Sequence, residues 1–425
     1  MARSDVHGTI LATWRIEQPR LIATLARMLR DVPLAEELTQ DALVAALERW
    51  PRDGAPERPG AWLMAAARRR ALDHIRREPM LARRHAMLAA SLQAEQAQTP
   101  DLAARLDDDI GDEMLRLIFT ACHPQLPRWS RAALALRMVC GLTTEEIARA
   151  FLMAPATVAQ RIVRAKRQLS EAGLAYETPQ GQERDRRLPT VLDVVYLIFN
   201  EGYTAARGDD WMRPRLCDEA RRLGRVLTAL APSEPEVQGL MALMELNASR
   251  SAARIDAEGE PILLMDQDRR AWDALQIRRG LDALARAQAL GGGQGFYALQ
   301  AAIVACHARA RTPEETDWPQ IVDLYGQLAA VSGSPVVELN RAIAVAMVDG
   351  PAAGLALVEA LASAPALKDY HLLPSVRGDL LQRLGRLAEA REAFSLAAAQ
   401  AGNARERALL DRRAAACAPD SPSPP

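Results

Sequence analysis

Gly141-Leu142-Thr143-Thr144-Glu145-Glu146-Ile147-Ala148, followed nine residues on by Thr157-Val158-Ala159-Gln160-Arg161-Ile162-Val163-Arg164-Ala165-Lys166-Arg167, reads as two short helices joined by a tight turn. At about 100° per residue, Val158, Ile162, Ala165 and Leu169 form one stripe that can pack on the first helix. Thr157, Gln160, Arg161, Arg164 and Gln168 fall on another face. A helix with that polar, basic face can enter a major groove, where Arg and Gln reach base edges and phosphates. Pro155 suits the first turn of the second helix, where its missing N–H costs nothing. The plainer alternative is an amphipathic helix with a solvated basic face.

A second basic helix lies upstream. From Trp62 to Arg77 the wheel groups Trp62, Arg69, Arg70, Asp73, Arg76 and Arg77 on one side, with Met64, Ala71 and Ile75 opposite. An aromatic at the head of an arginine face suits unpaired bases and phosphates. A core Trp with solvated arginines is the competing reading, in which Asp73 orders its neighbours through i,i+3 and i,i+4 pairs.

The rest of the chain bounds what surrounds these helices. A length of 425 residues implies two to four domains. Ala, Leu and Arg dominate while aromatics are few, which favours an all-α fold of close-packed helices. Lysine occurs only at 166 and 368. The net charge of −1 conceals an asymmetry: residues 1–175 hold 25 Lys/Arg against 21 Asp/Glu, and the remainder 28 against 33. Local clusters, not overall charge, therefore decide any affinity for nucleic acid. Five dispersed cysteines (Cys122, Cys140, Cys217, Cys306, Cys417) form no C-x-x-C pair, which argues against a disulfide framework or zinc knuckle. With no apolar run of spanning length and no secretion segment at Met1, a cytoplasmic protein that does not engage a membrane is expected.

Composition shifts divide the chain. Residues 1–80 read as three helices: Leu11 to Leu29, Pro33 through Trp50, and Ala61 to Arg77 beyond a Pro/Gly-rich loop from Pro51 to Gly60. Residues 81–112 read as a polar linker and 113–175 as a helical unit ending in the helix-turn-helix. A joint at 176–190, a helical extension at 191–290, repeats at 291–415 and a disordered tail at 416–425 follow. In the repeats, Gly385, Leu387, Ala390, Phe394 and Ala397 match the second helix of a tetratricopeptide repeat, with Gly378 and Leu381 in its first. Stepping back by the same period reaches the Asp349-Gly350-Pro351 turn and then Thr316. A generic helical bundle is the alternative. Residues 254–272 interrupt the helices: Arg254 to Met265 reads as a hairpin turning at Glu258-Gly259, followed by Asp266-Gln267-Asp268-Arg269-Arg270 beside Trp272.

Taken in order, these pieces resemble the bacterial sigma factors of the extracytoplasmic-function (ECF) group of the sigma-70 family. Their region two reads A-E-D-L-V-Q-E, a loop, then A-W-L and A-R-N-x-x-x-D-x-x-R-R; here stand Ala35 to Asp41, Ala61-Trp62-Leu63, Ala67-Arg68-Arg69 and Asp73 to Arg77. Region four reads G-L-S-x-E-E-I-A, a turn, then T-V-x-x-R-L-x-R-A-R-x-x-L, matched by Gly141 to Ala148 and Thr157 to Leu169. The later residues, including Tyr196 to Tyr203 and Asp266 to Arg269, are similar to the extension of one subgroup that carries tetratricopeptide-like repeats.

The resemblance implies roles. Glu36, Glu37, Leu38, Gln40 and Asp41 would dock on the β′ clamp helices of core RNA polymerase. Trp62, Arg69, Arg70, Arg76 and Arg77, with the loop before them, would open and read the minus-10 element. Thr157, Gln160, Arg161, Arg164 and Arg167 would read the minus-35 element. The 81–112 linker would thread toward the active-site and RNA-exit region, so the β and β′ subunits and promoter DNA are the implied partners. The repeats would offer a surface for a further protein or ligand, and the charge asymmetry motivates a regulatory role in cis for the acidic C-terminal half. The chain departs from the pattern at Arg69 (usually Asn), Leu152 (the turn Gly), Ala154 (a Ser/Thr cap) and Ala159 (often Lys). A missing cap costs about 1 kcal/mol.

Two other classes compete. A helix-turn-helix activator with a repeat sensor would leave Ala35–Asp41 and Ala61–Arg77 unexplained. An enzyme could use Cys122-His123, Cys306-His307, or Asn200-Glu201 with Asp266 and Asp268. Adjacent Cys and His point to different sides of a helix, however, and both pairs sit in Ala/Leu-rich surroundings. No phosphate-cradling loop is present, Gly291-Gly292-Gly293 reading as an interhelical turn. No catalytic residue, metal or cofactor is expected.

Overall fold

The computed structural model describes residues 3–77, 114, 116–151, 153–171, 179, 181–204, 211–257 and 259–417. Among them every named element is helical, with one isolated bridge between Ile255 and Pro261. The 81–112 linker, Leu152 and the end of the tail lie outside the described residues. Two compact units divide between Leu197 and Ile198.

The first unit opens with α1 (Arg3–Leu29), α2 (Val32–Asp53) and α3 (Pro59–Arg77). Asp31 caps α2, accepting the Leu34 N–H at 3.0 Å, and Pro33 occupies the first turn. Ile10, Leu21, Ile22 and Leu25 of α1 meet Ala35, Ala42 and Ala46 of α2 and Leu63, Ala67 and Ala71 of α3 in a dry core. Alanine at most of the α2 and α3 positions lets the three helices pack closely. The Pro51–Gly60 loop proves shorter than its composition implies. Pro51 to Asp53 continue α2, Gly54 ends it at φ +86°, and Pro59 already begins α3.

The same unit holds a helical segment at 116–121, α4 (Arg128–Leu134), a π-helical turn (Ala135–Val139), α5 (Thr144–Ala150) and α6 (Pro155–Glu171). In the π turn the Cys140 N–H donates to the Ala135 carbonyl at 3.1 Å, and Gly141 leaves it at φ +69°. The helix α7 (Gly181–Tyr203) carries the division between the units.

The second unit continues through α8 (Pro214–Leu230), α9 (Pro235–Ala248), α10 (Ala274–Ala289), α11 (Phe296–Arg309), α12 (Trp318–Ser332), α13 (Pro335–Val348), α14 (Pro351–Leu361), α15 (Leu372–Arg383), α16 (Leu387–Gln400) and α17 (Ala404–Ala416). Its central helix is α9, buried from Val237 to Leu246 and packed on α8, α10 and α11. Gly239 allows α11 to cross at backbone distance, since a Cβ there would stand 2.8 Å from the Ala298 nitrogen. The residues after α9 form the expected hairpin: the Asp256 N–H donates to the Glu260 carbonyl and the Ile262 N–H to that of Arg254. Gly259, at φ +79°, lies in its turn, while Glu258 is outside the described residues. From α11 onward successive helices pack on one another in pairs, with turns preceding α12, α14 and α16 at the positions the period marks. Phe394 of α16 fills the gap over Gly378 of α15, where a Cβ would come within 2.8 Å of its ring.

Candidate nucleic-acid and polymerase interface

The second helix of the helix-turn-helix is built as its periodicity requires. Val158, Ile162, Ala165 and Leu169 are the buried residues of α6, facing α4 and α5. Thr157, Gln160, Arg164, Arg167 and Gln168 are exposed on the far side. Arg161, at the edge of the stripe, is half-buried and reaches the Met153 sulfur at 3.7 Å. Arg167 is held by Glu171 one turn later at 2.6 Å. Ala154 offers the backbone carbonyl that accepts the Thr157 and Val158 N–H groups, and has no side-chain oxygen to add.

The preceding helix α5 starts with a reciprocal cap. The Glu146 N–H donates to Thr143 Oγ1 at 3.1 Å, and the Thr143 N–H donates to Glu146 Oε2 at 2.9 Å. The Thr143-x-x-Glu146 spacing thus fixes where α5 begins and at what angle it leaves the turn.

On α3 the buried stripe is Leu63, Ala67 and Ala71, one residue away from part of the expected Met64–Ala71–Ile75 face. The shift leaves Met64 and Ile75 half-buried. Arg69 and Arg76 remain exposed, and Arg76 lies 4.0 Å from Asp73. Arg70 is half-buried and 4.0 Å from Asp41 of α2. Arg77 closes the helix, its side chain lying outside the described set. Trp62 does not stand free: its ring meets buried Trp50 edge-on, centroids 5.4 Å apart.

On α2, Glu37 and Asp41 are exposed and Leu38 and Gln40 are half-buried. Glu36 is different. Its side chain is 1% exposed and paired with two cations from the helix-turn-helix half of the unit, Arg137 Nε at 3.0 Å and the Lys166 ammonium. Gln40 Nε2 donates to the same carboxylate at 2.8 Å. The π turn aims Arg137, whose Nη1 also donates to the Leu142 carbonyl at 3.2 Å, and Gln18 Nε2 donates to the Arg137 carbonyl at 3.4 Å. Lys166 lies about 180° around α6 from Thr157, so the exposed reading face points away from this contact. Arg137 and Lys166 were not among the candidates. Their signal was Glu36 itself, a carboxylate on the register of Val32, Ala35, Thr39 and Ala42, all buried.

The residues of the enzyme reading are occupied otherwise. Cys122 is buried, which pushes its thiol up to about 12, and desolvation with Arg187 nearby holds His123 below the ordinary histidine value. Burial raises Cys306, whose thiol points at Gln320 Oε1 at 3.1 Å. Glu201 pairs with Arg213. Among the described residues no cluster of His, Cys, Asp and Glu is arranged to hold a metal, and no helix is long and apolar enough to cross a membrane.

Residues 14–79 match the family model of sigma-70 region 2, and residues 116–169 that of sigma-70 region 4. The chain is similar to the ECF RNA polymerase sigma factor SigK of Mycobacterium ulcerans, 31% identical over 150 residues that span 34% of this chain and 74% of the relative. The chain belongs to the ECF sigma factors. It is an RNA polymerase sigma factor of the sigma-70 family, with core polymerase and promoter DNA as the partners that its domains imply. Similarity extends to a probable ECF RNA polymerase sigma factor SigI of Mycobacterium tuberculosis, 28% identical over 190 residues, 42% of this chain and 60% of the relative. The sigma factor is also 45% identical over 395 residues to an uncharacterised protein of Rhizobium meliloti, covering 92% of each chain. Within its C-terminal extension, residues 187–288 match a family of unknown function, DUF6596. The region 2 match covers the segments that the activator reading left without a role.

The Glu36 contact makes the two sigma regions energetically dependent on each other. Glu36→Gln and Lys166→Met, singly and together, should give a coupling of about 1–3 kcal/mol in a double-mutant cycle read by urea unfolding. Additive effects would show that the pair carries no net interaction.

Proposed function

We propose that this sigma factor docks on the β′ clamp helices of core polymerase through α2, captures the minus-10 element with α3, reads the minus-35 element with α6 and so directs transcription of a particular gene set. The observation that carries the assignment is α6: an apolar stripe wholly buried, and opposite it an exposed row of Thr157, Gln160, Arg164 and Arg167. A few base contacts from one short helix contribute roughly 1–3 kcal/mol each, and its phosphate contacts weaken with salt. Such a helix alone is a poor promoter finder. Two weak readers fixed to one polymerase make the second contact intramolecular, raising affinity without new chemistry. Melting the minus-10 segment costs unstacking energy that capture of exposed bases offsets. The polymerase carries out the chemistry.

The buried Glu36 assigns the free chain a closed state. α2 and α6 share one carboxylate, so Glu36 meets polymerase only after Arg137 and Lys166 release it. Glu37, Leu38, Gln40 and Asp41 are at least partly accessible beforehand and make the first encounter. On α3, Arg69 and Arg76 are the accessible cations, and Trp62 offers a base only the part of its ring not covered by Trp50.

In run-off transcription with sigma-free core enzyme, Arg164→Ala should lower output from a minus-35-dependent promoter about tenfold while core binding stays intact. Arg161→Ala, whose side chain is partly engaged with Met153, should act less strongly. Unchanged promoter selectivity in both variants would refute the α6 assignment.

The C-terminal half, read as a helical extension at 191–290 followed by tetratricopeptide-like repeats at 291–415, is assigned a regulatory role in cis, supported by its acidic balance against the basic first 175 residues. A chain ending near residue 180 should then differ from the full chain in transcription from the same promoter. Equal activity would dismiss that role.

A further inference from the structure

Three inward arginines of the second unit make no close ion pair among the described residues, although the carboxylates of Glu314 and Glu315 lie near enough to Arg269 to favour its charge. Arg250 lies over the rings of Tyr203 and Trp272, at 5.9 and 5.7 Å, and its Nη2 donates to the Tyr203 hydroxyl and to Asn247 Oδ1. Arg254, 8% exposed, stacks on Tyr203 at 3.6 Å and donates to the Tyr203 carbonyl and Thr204 Oγ1. Arg269, over Trp272 at 5.2 Å, donates to the carbonyls of His307 and Ala310 and to Thr316 Oγ1. All these acceptors are neutral. Other inward arginines of the unit are treated differently, Arg213 having Glu201 and Arg221 having Glu245.

The donors left over point the same way. Arg250 Nε, Arg269 Nε and Trp272 Nε1 are buried donors without a hydrogen-bond partner, and His307 Nδ1, a donor in one of the two imidazole tautomers, is unpartnered as well. Trp272 and His307 are 6% and 7% exposed. Gln267 Oε1 also lacks a partner, so it serves none of the four. Burial together with Arg250 and Arg269 holds His307 down to about 4, and the imidazole is neutral at physiological pH. Buried donors without acceptors are costly, and neighbouring guanidinium groups add repulsion that Glu314 and Glu315 offset in part at Arg269. A group that only accepts hydrogen bonds and carries negative charge would remove both costs.

We propose that Arg250, Arg269, Trp272 and His307 form a binding site for a small oxyanion-bearing ligand, a carboxylate or a phosphate, in the C-terminal extension. Arg250 and Arg269 are half-buried, while Trp272 and His307 are buried. A cation is excluded by three fixed positive charges. The cluster draws on Tyr203 and on the Asp266-Gln267-Asp268-Arg269 segment, two features of the sequence for which promoter recognition has no use. Arg269 thereby ties the segment after the hairpin to the end of α11, so occupancy bears on how that segment is held.

The experiment reads binding by the full chain and is independent of transcription. Inorganic phosphate and succinate are titrated separately into the 15N-labelled protein at constant ionic strength, with chloride as the reference salt. The indole N–H signal of Trp272, assigned with Trp272→Phe, should shift and saturate with one of the two probes, and which one identifies the ligand class. Arg250→Gln and Arg269→Gln should weaken that binding about tenfold or more, whereas Arg309→Gln, on the exposed side of α11, should not. Failure of both probes to produce a saturable shift, an equal shift with chloride, or unaltered affinity in both arginine variants would overturn the site. Should an arginine variant fail to fold, the wild-type titration against the chloride reference still decides.

Discussion

A carboxylate withdrawn from water is the constraint around which the first unit is arranged. Glu36 stands on the inward register of α2, and its desolvation is offset by Arg137 from the π turn, Lys166 from the reading helix and the Gln40 amide. Removing both cations would leave the carboxylate stranded, so Glu36 ties α2 to α6 where the two helices pack. Ion pairs of this kind contribute modest net stability but strong geometric preference, because each alternative placement exposes an unpaired buried ion. The same charge that anchors the closed arrangement belongs to the acidic run with which the family meets polymerase. Under the proposed docking role of α2, polymerase and the Arg137–Lys166 pair would compete for Glu36.

Much of this was legible from residue order. The α6 stripe and its basic face followed from helical periodicity alone, since an isolated amphipathic pattern with a Pro start leaves few alternatives. The Gly291 turn was likewise local, whereas the Thr143–Glu146 cap was overlooked although its spacing stands in the sequence. Where the reading slipped, a nonlocal contact decided. Met64 and Ile75 gave way to Leu63 and Ala67 because α3 is rotated by its packing on α1 and α2, and Trp62 was drawn against Trp50. Pro51 reads as a helix breaker, yet the helix runs on through it to Asp53 and ends at Gly54. Glu36 looked like a surface contact because its motif is acidic; its register with Val32, Ala35 and Thr39 was the clue to burial.

The second unit solves a different packing problem. Its central helix α9 is apolar on nearly every side, and glycines at 239 and 280 let neighbouring helices approach to backbone distance. Arginine, the chain's near-exclusive cation, is used there as a staple: planar guanidiniums lie on aromatic faces and donate to loop carbonyls that no helix satisfies. The charge this concentrates around Trp272 and His307 is the imbalance from which the anion site was inferred. The helices from α11 to α17 then extend the unit around two apolar clusters, one shared by α11, α12 and α13 and one running from α13 to α17, in which Phe394 fills the gap over Gly378.

Spin labels on Glu48→Cys of α2 and Ser170→Cys of α6, both exposed positions in a chain whose five native cysteines are buried, report the closed arrangement directly. Pulsed electron resonance should give one narrow, short distance in the free protein and a distinctly longer one when core polymerase is bound. An unchanged distribution on binding, or a broad one in the free chain, would contradict the Glu36 contact as the link between the two sigma regions.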